Sequence, residues 1–176
     1  MPFERFDPIN SDNEQEVSWH IKRYSCAAKF TSGSVLDAAC GFGYGSQILN
    51  YNWYIGKDKN QECIQIAKER YINEFPSIVF LCEDIEAIDI LPYDSAVVIE
   101  TLEHLHDPEK FIKRLREKIK NCIFVSFPVV RTTQNNPFHL HDLKIDIVDK
   151  WMGEWHKEFG VYQCNNRIYM ASYRKT

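Results

Sequence analysis

The sequence predicts an α/β fold: a doubly wound, seven-stranded sheet, mostly parallel and closed by an antiparallel hairpin. Three observations predict it. Short apolar runs without polar alternation, such as Ser95–Ile99 and Cys122–Phe127, suit strands buried on both faces. Helical patterns separate these runs, so successive strands lie parallel. Near the C-terminus the pattern changes, and Phe159–Gln163 and Arg167–Tyr173 flank the turn-prone pair Asn165-Asn166.

The elements follow in order. Residues 1–13, broken by Pro2 and Pro8, read as an irregular arm. Val17, Ile21, Tyr24 and Ala28 recur at helical spacing and make 14–30 an amphipathic helix. Ser34–Ala39 is a strand that runs into a glycine cluster, and Ser46–Asn50 opens the next helix. Trp53–Gly56 is a strand, Gln61–Tyr71 a helix, and Ile78–Cys82 and Ser95–Ile99 are strands. Pro108–Lys118 is a helix, with Asp107 as its cap and Pro108 in its first position. The strand Cys122–Phe127 ends at Pro128, and Leu143–Met152 is the last helix. No repeat or low-complexity linker interrupts the chain, so one domain is expected over 1–176.

Composition narrows the function. The chain has 176 residues, 44% hydrophobic and 26% charged, enough for one sizeable core. A net charge of −4 weighs against tracking nucleic acid through charge alone. The start, MPFERFDPIN, has neither the basic nor the apolar part of a secretory signal. No run approaches the roughly 20 apolar residues of a membrane span. The six cysteines form no C-x-x-C pair and read as reduced thiols. A cytoplasmic protein with no membrane partner is expected.

The glycine cluster has the form Asp37-Ala38-Ala39-Cys40-Gly41-Phe42-Gly43-Tyr44-Gly45, between a strand and the next predicted helix. Glycines there permit a tight turn and let a ligand approach the backbone. A dinucleotide loop would read G-x-G-x-x-G, whereas here the spacing is G-x-G-x-G and the sixth position is Ser46. Asp58 follows Asp37 by 21 residues, at a second strand end, where a carboxylate can accept from ribose hydroxyls. Asp84 closes the third strand. Three acidic residues at three strand ends converge on one crevice.

Two further groups belong to the same sheet edge. Glu100-Thr101-Leu102-Glu103-His104-Leu105-His106 follows the fourth strand. If that turn is helical, Glu100, Glu103 and His104 share a face. Asn136-Pro137-Phe138-His139-Leu140-His141 follows the fifth. Carboxylates and imidazoles at one opening suit either a divalent cation or proton transfer.

The glycine cluster resembles motif I of class I S-adenosylmethionine (SAM) dependent methyltransferases, which are Rossmann-like. The resemblance spans roughly residues 20–152. It implies SAM as cofactor, with Asp37, Ala39, Gly41 and Gly43 at its amino-acid end. Asp58 and Lys59 would lie at the ribose, Asp84 and Ile85 at the adenine, and Glu100 and Tyr24 beside the cofactor. Related chains bring an N-terminal helix over the site, so Arg23 is a candidate as well. E-x-x-E-H with N-P-F-H also resembles ubiquinone-pathway O-methyltransferases and small-RNA 3′-end 2′-O-methyltransferases. It implies Glu100, Glu103, His104 and His139 or His141 as ligands of Mg²⁺ or Mn²⁺. Without metal, His139 or His141 would be the base, with Glu100 assisting. The expected acceptor is an oxygen nucleophile on a small molecule or sugar, with an RNA ribose as the alternative. A non-catalytic SAM-binding subunit is the rival from another class. With only about 15 residues between the fifth strand and the last helix, the acceptor site must be shallow, or completed by the arm or by a partner such as a second copy.

Overall fold

In the computed structural model, which describes residues 6–72 and 77–176, side-chain caps set the helix starts. Asn60 Oδ1 accepts from the Cys63 amide and Asp107 Oδ1 from the Lys110 amide, each at 2.9 Å. These caps open α2 (Gln61–Tyr71) and α3 (Pro108–Lys118), both with the predicted limits. Asn13 caps α1 (Glu14–Ala27), which stops short of residue 30. The last helix, α4 (Ile145–Met152), ends at Gly153. Residues 1–5 of the expected arm lie outside the described residues, and 6–13 are irregular as expected.

Seven strands form one sheet: β1 (Ser34–Ala38), β2 (Trp53–Asp58), β3 (Ile78–Cys82), β4 (Tyr93–Ile99), β5 (Ile119–Pro128), β6 (His156–Gln163) and β7 (Ile168–Arg174). Their order is β3-β2-β1-β4-β5-β7-β6. The first five are parallel, while β7 runs antiparallel to both β5 and β6. The α3 helix passes straight into β5, because Ile119 is already extended.

One expectation fails. No α-helix begins at Ser46; the glycine cluster gives way to a single 3-10 turn, Tyr44–Gln47. Ser46 Oγ donates back to the Gly43 carbonyl at 2.7 Å, and Ile48 at φ −121° leaves helical geometry. Hydroxyl-to-backbone bonds of this kind compete with helix.

The sheet separates two cores. Tyr24 and Ala27 of α1 pack with Ile64 and Ala67 of α2 on one face. Phe111, Ile112 and Leu115 of α3 pack with Val148 and Met152 of α4 on the other. Trp155 belongs to that second core, and Trp151 packs against it. The strand order reverses between β1 and β4, and such a switch point opens a crevice at the carboxyl ends of the strands. No helix among the described residues is long and apolar enough to cross a membrane. All six cysteines are free thiols.

Candidate active site

A cavity of about 670 Å³ occupies that crevice. Of the residues singled out in the sequence, Tyr24, Ala39, Gly41, Asp58, Lys59, Asp84, Ile85, Glu100, Glu103, His104 and His139 line it. Asp37, Gly43 and His141 do not.

The floor is the glycine cluster. Ala39 at φ 60° and Gly41 at φ 54° turn the backbone beneath the cavity. Asp58 is buried at the end of β2; its Oδ2 accepts from the Gly41 amide at 3.0 Å and its Oδ1 from the Asn60 amide at 2.9 Å. The carboxylate thus fixes the loop at the edge of the cavity. Asp84 Oδ1 accepts from the Glu86 amide at 2.9 Å, which turns the chain after β3 and leaves Ile85 buried against the cavity.

Asp37 takes a different position from the expected one. It is fully buried beneath the loop, where Tyr54 Oη donates to it at 2.6 Å and Tyr24 Oη at 3.3 Å. Burial pushes its pKa up to about 7, against the opposing effect of the two tyrosine hydrogen bonds. A Cβ at Gly45 would stand 2.3 Å from the Tyr24 ring and 2.6 Å from the Asp37 carboxylate. Asp37 therefore braces Tyr24 and the loop from below. Gly43 is also displaced from its expected role. A Cβ there would meet the Phe80 ring at 2.6 Å, so its small size serves the packing of loop on sheet.

The roof is α1 with the described part of the arm. Arg23 is buried, and its Nε donates to Gln163 Oε1 at 2.9 Å. Its Nη2 contacts Cys164 Sγ at 3.6 Å, while Nη1 is buried with no hydrogen-bond partner. A buried cation with one unsatisfied nitrogen facing a cavity is costly unless a ligand completes it. Gln163 also donates to the Trp19 carbonyl at 3.1 Å, so the β6–β7 hairpin holds α1 in place. Phe6 stacks on His20 with ring centroids 4.0 Å apart, and Asp7 pairs with both terminal nitrogens of Arg70 on α2. Burial and the nearby Arg23 charge depress the His20 pKa to about 3. The neutral ring meets Tyr44 Oη at 3.0 Å.

The far wall carries the carboxylate and histidines. The turn after β4 is not helical at its start: Glu100 sits at φ 47°, and only Leu102–His104 form a 3-10 turn. Glu100 is thereby split from Glu103 and His104, which corrects the expected shared face. Its Oε1 accepts from Ser126 Oγ at 2.7 Å. The group that comes together is Glu103, His104 and His139, with one ligand atom from each within 4.8 Å of the others. Glu103 is buried and lies 4.0 Å from His104 Nε2. His104 Nδ1 faces the Phe138 carbonyl at 3.0 Å and must donate to it, which fixes the orientation of the ring. His139 Nδ1 pairs with Thr132 Oγ1 at 2.7 Å. His141 is drawn away because its Nε2 donates to the Leu105 carbonyl at 2.9 Å, a tie between loops.

Sequence reasoning foresaw the hairpin but not its place in the site. Cys164, Asn165 and Arg167 line the cavity. Topology could have placed them: a strand antiparallel to β5 must start at the edge where β5 ends. No pattern pointed to Phe6, Trp19 or His20.

The comparisons with known proteins agree with this geometry. Residues 35–121 match a family described as a methyltransferase domain. A ubiquinone biosynthesis O-methyltransferase of Coxiella burnetii is 34% identical over 90 residues, which cover 49% of this chain but only 38% of that protein. Among solved structures, the N-methyltransferase NodS of Bradyrhizobium japonicum with bound S-adenosyl-L-homocysteine (SAH) superposes with a TM-score of 0.72 at 18% identity, over 94% of this chain and 89% of that one. The [4+2]-cyclase SpnF reaches 0.76 at 13% identity, over 97% and 84%, so the fold is shared beyond methyl transfer. Residues 35–121 thus resemble a methyltransferase domain, and the chain as a whole shares its fold with proteins solved with bound SAM or SAH.

Proposed function

We propose that the protein transfers the methyl group of SAM to an oxygen nucleophile of a small-molecule acceptor. The observation that carries this reading is the convergence of Glu103, His104 and His139 within 4.8 Å, in the cavity that holds the cofactor-type residues.

The sheet order divides the cavity. Adenine lies by Asp84 and Ile85, and ribose by Asp58. The amino-acid end lies between β1 and β4, where Arg23 Nη1 would receive the carboxylate and Glu100 the ammonium. The acceptor then lies beyond β4, over the ends of β5 and β7. Its oxygen forms a bond to the methyl carbon as the S–C bond breaks, the sulfonium becomes a thioether, and the hydroxyl proton must leave. Alignment of the two reacting atoms supplies much of the rate.

Glu103, His104 and His139 fit a divalent cation such as Mg²⁺ or Mn²⁺: one carboxylate and two imidazoles, with His104 already oriented by the Phe138 carbonyl. When bound there, such an ion lowers the pKa of a hydroxyl beside it. The alternative is that His139, oriented by Thr132, takes the proton directly.

Methyl-labelled SAM incubated with metabolite pools tests the reading. Label should pass to small molecules, and Glu103→Gln should reduce transfer at least 100-fold while SAH affinity stays within about twofold. Undiminished transfer in that variant overturns the assignment of the reaction to this cluster. Loss of activity in chelator, restored by Mg²⁺ or Mn²⁺, selects the metal; full activity in chelator selects His139 as the base.

A further inference from the structure

Among the described residues that line the cavity, the division proposed above leaves one cation besides the histidines on the acceptor side, Arg167, on the tip of the β6–β7 hairpin. Its backbone is held at three points. The Arg167 amide donates to the Gln163 carbonyl at 3.1 Å and to the Cys164 carbonyl at 3.2 Å, and its carbonyl accepts from the Val129 amide at 2.9 Å. The side chain has no hydrogen-bond or ion-pair partner among the described residues. Arg167 is exposed where it lines the cavity, so its guanidinium is open to a ligand without first giving up an internal partner.

The hairpin is also strained to present it. Cys164, Asn165 and Asn166 take φ values of 54°, 54° and 64°, three consecutive left-handed residues, none of them glycine. Asparagine tolerates that region, but a cysteine there persists only where the surroundings impose it. The Cys164 thiol contact with Arg23 and the Val129 bond are those surroundings. Pro128, Val130 and Ile168 add apolar lining to the cavity, which Thr132 and His139 also line.

From this we infer that the acceptor is a hydroxylated small molecule that also bears an anionic group, a carboxylate or a phosphate, which Arg167 receives while the hydroxyl faces His139. The inference rests on the division of the cavity given above. A single arginine suits one anionic group rather than a polyanion, as does the chain's net charge of −4.

The test uses the full chain saturated with SAH, so that Arg23 and the cofactor half are occupied. Calorimetry compares 3,4-dihydroxybenzoate with catechol, its uncharged counterpart, and with glycerol 3-phosphate. The expected result is at least about tenfold tighter binding of one anionic compound than of catechol. Tighter binding of the benzoate identifies a carboxylate, and tighter binding of the glycerol ester a phosphate. Arg167→Gln should remove the advantage and Arg167→Lys should keep part of it, with SAH affinity unchanged in both. Equal binding of all three compounds, binding of none, or an advantage that survives Arg167→Gln overturns the inference. Failure of SAH itself to bind would instead count against the cofactor reading.

Discussion

His20 and Asp37 are linked through the Tyr44 and Tyr24 rings and titrate in opposite senses. Burial and Arg23 hold His20 at about 3, well below the unfolded value near 6.5, so its contribution to stability is present above pH 6.5 and is lost as pH falls toward 3. Burial raises Asp37 to about 7 from an unfolded value near 3.8, so its contribution is present below pH 3.8 and is lost as pH rises through 7. Between about pH 4 and 6.5 the two slopes oppose each other. Urea unfolding should therefore show little pH dependence from this pair in the wild type. His20→Phe, which keeps the stack with Phe6, should grow more stable on acidification, and Asp37→Asn less stable. Parallel pH profiles for all three proteins would show that neither shift exists.

The hairpin and α1 act together through Gln163, which bridges the Trp19 carbonyl and Arg23 Nε. Gln163→Leu should weaken SAH binding about tenfold, because Arg23 loses its orientation. Binding of 5′-methylthioadenosine, which lacks the amino-acid end, should not change. Equal losses for both ligands, measured by calorimetry, would mean that the residue matters only for folding. At this scale the sequence was readable wherever a local signal sets the geometry. Asp107 announces α3 because a cap is a short-range bond. Asn165-Asn166 announces the hairpin because these residues tolerate left-handed backbone. Glu100 carries no such mark. Its φ of 47° is imposed by Ser126 and β5, so no helical spacing could reveal that it parts from Glu103. The choice between His139 and His141 was equally hidden, since it turns on which loop carbonyl or hydroxyl each imidazole reaches.

At the scale of the molecule, the cofactor site ties together elements distant in sequence: α1, the glycine floor, the ends of β2 and β4, and the terminal hairpin. A ligand that joins so many elements should stabilise all of them. At 100 times its dissociation constant, SAH should add about 2.7 kcal/mol. For a chain of this size that is a rise of roughly 5–10 °C in melting temperature. Calorimetric scans check this, and Arg23→Gln should shrink the rise.

The strand order carries a consequence for synthesis. β7 is made after β6, yet it lies between β5 and β6. While the chain is still being translated, β6 has no neighbour to pair with, and Gln163 and Cys164 have no fixed place. Arg23 then lacks both of the groups that orient it. SAH retention by nascent chains of increasing length should therefore rise sharply once β7 has emerged and the sheet has closed.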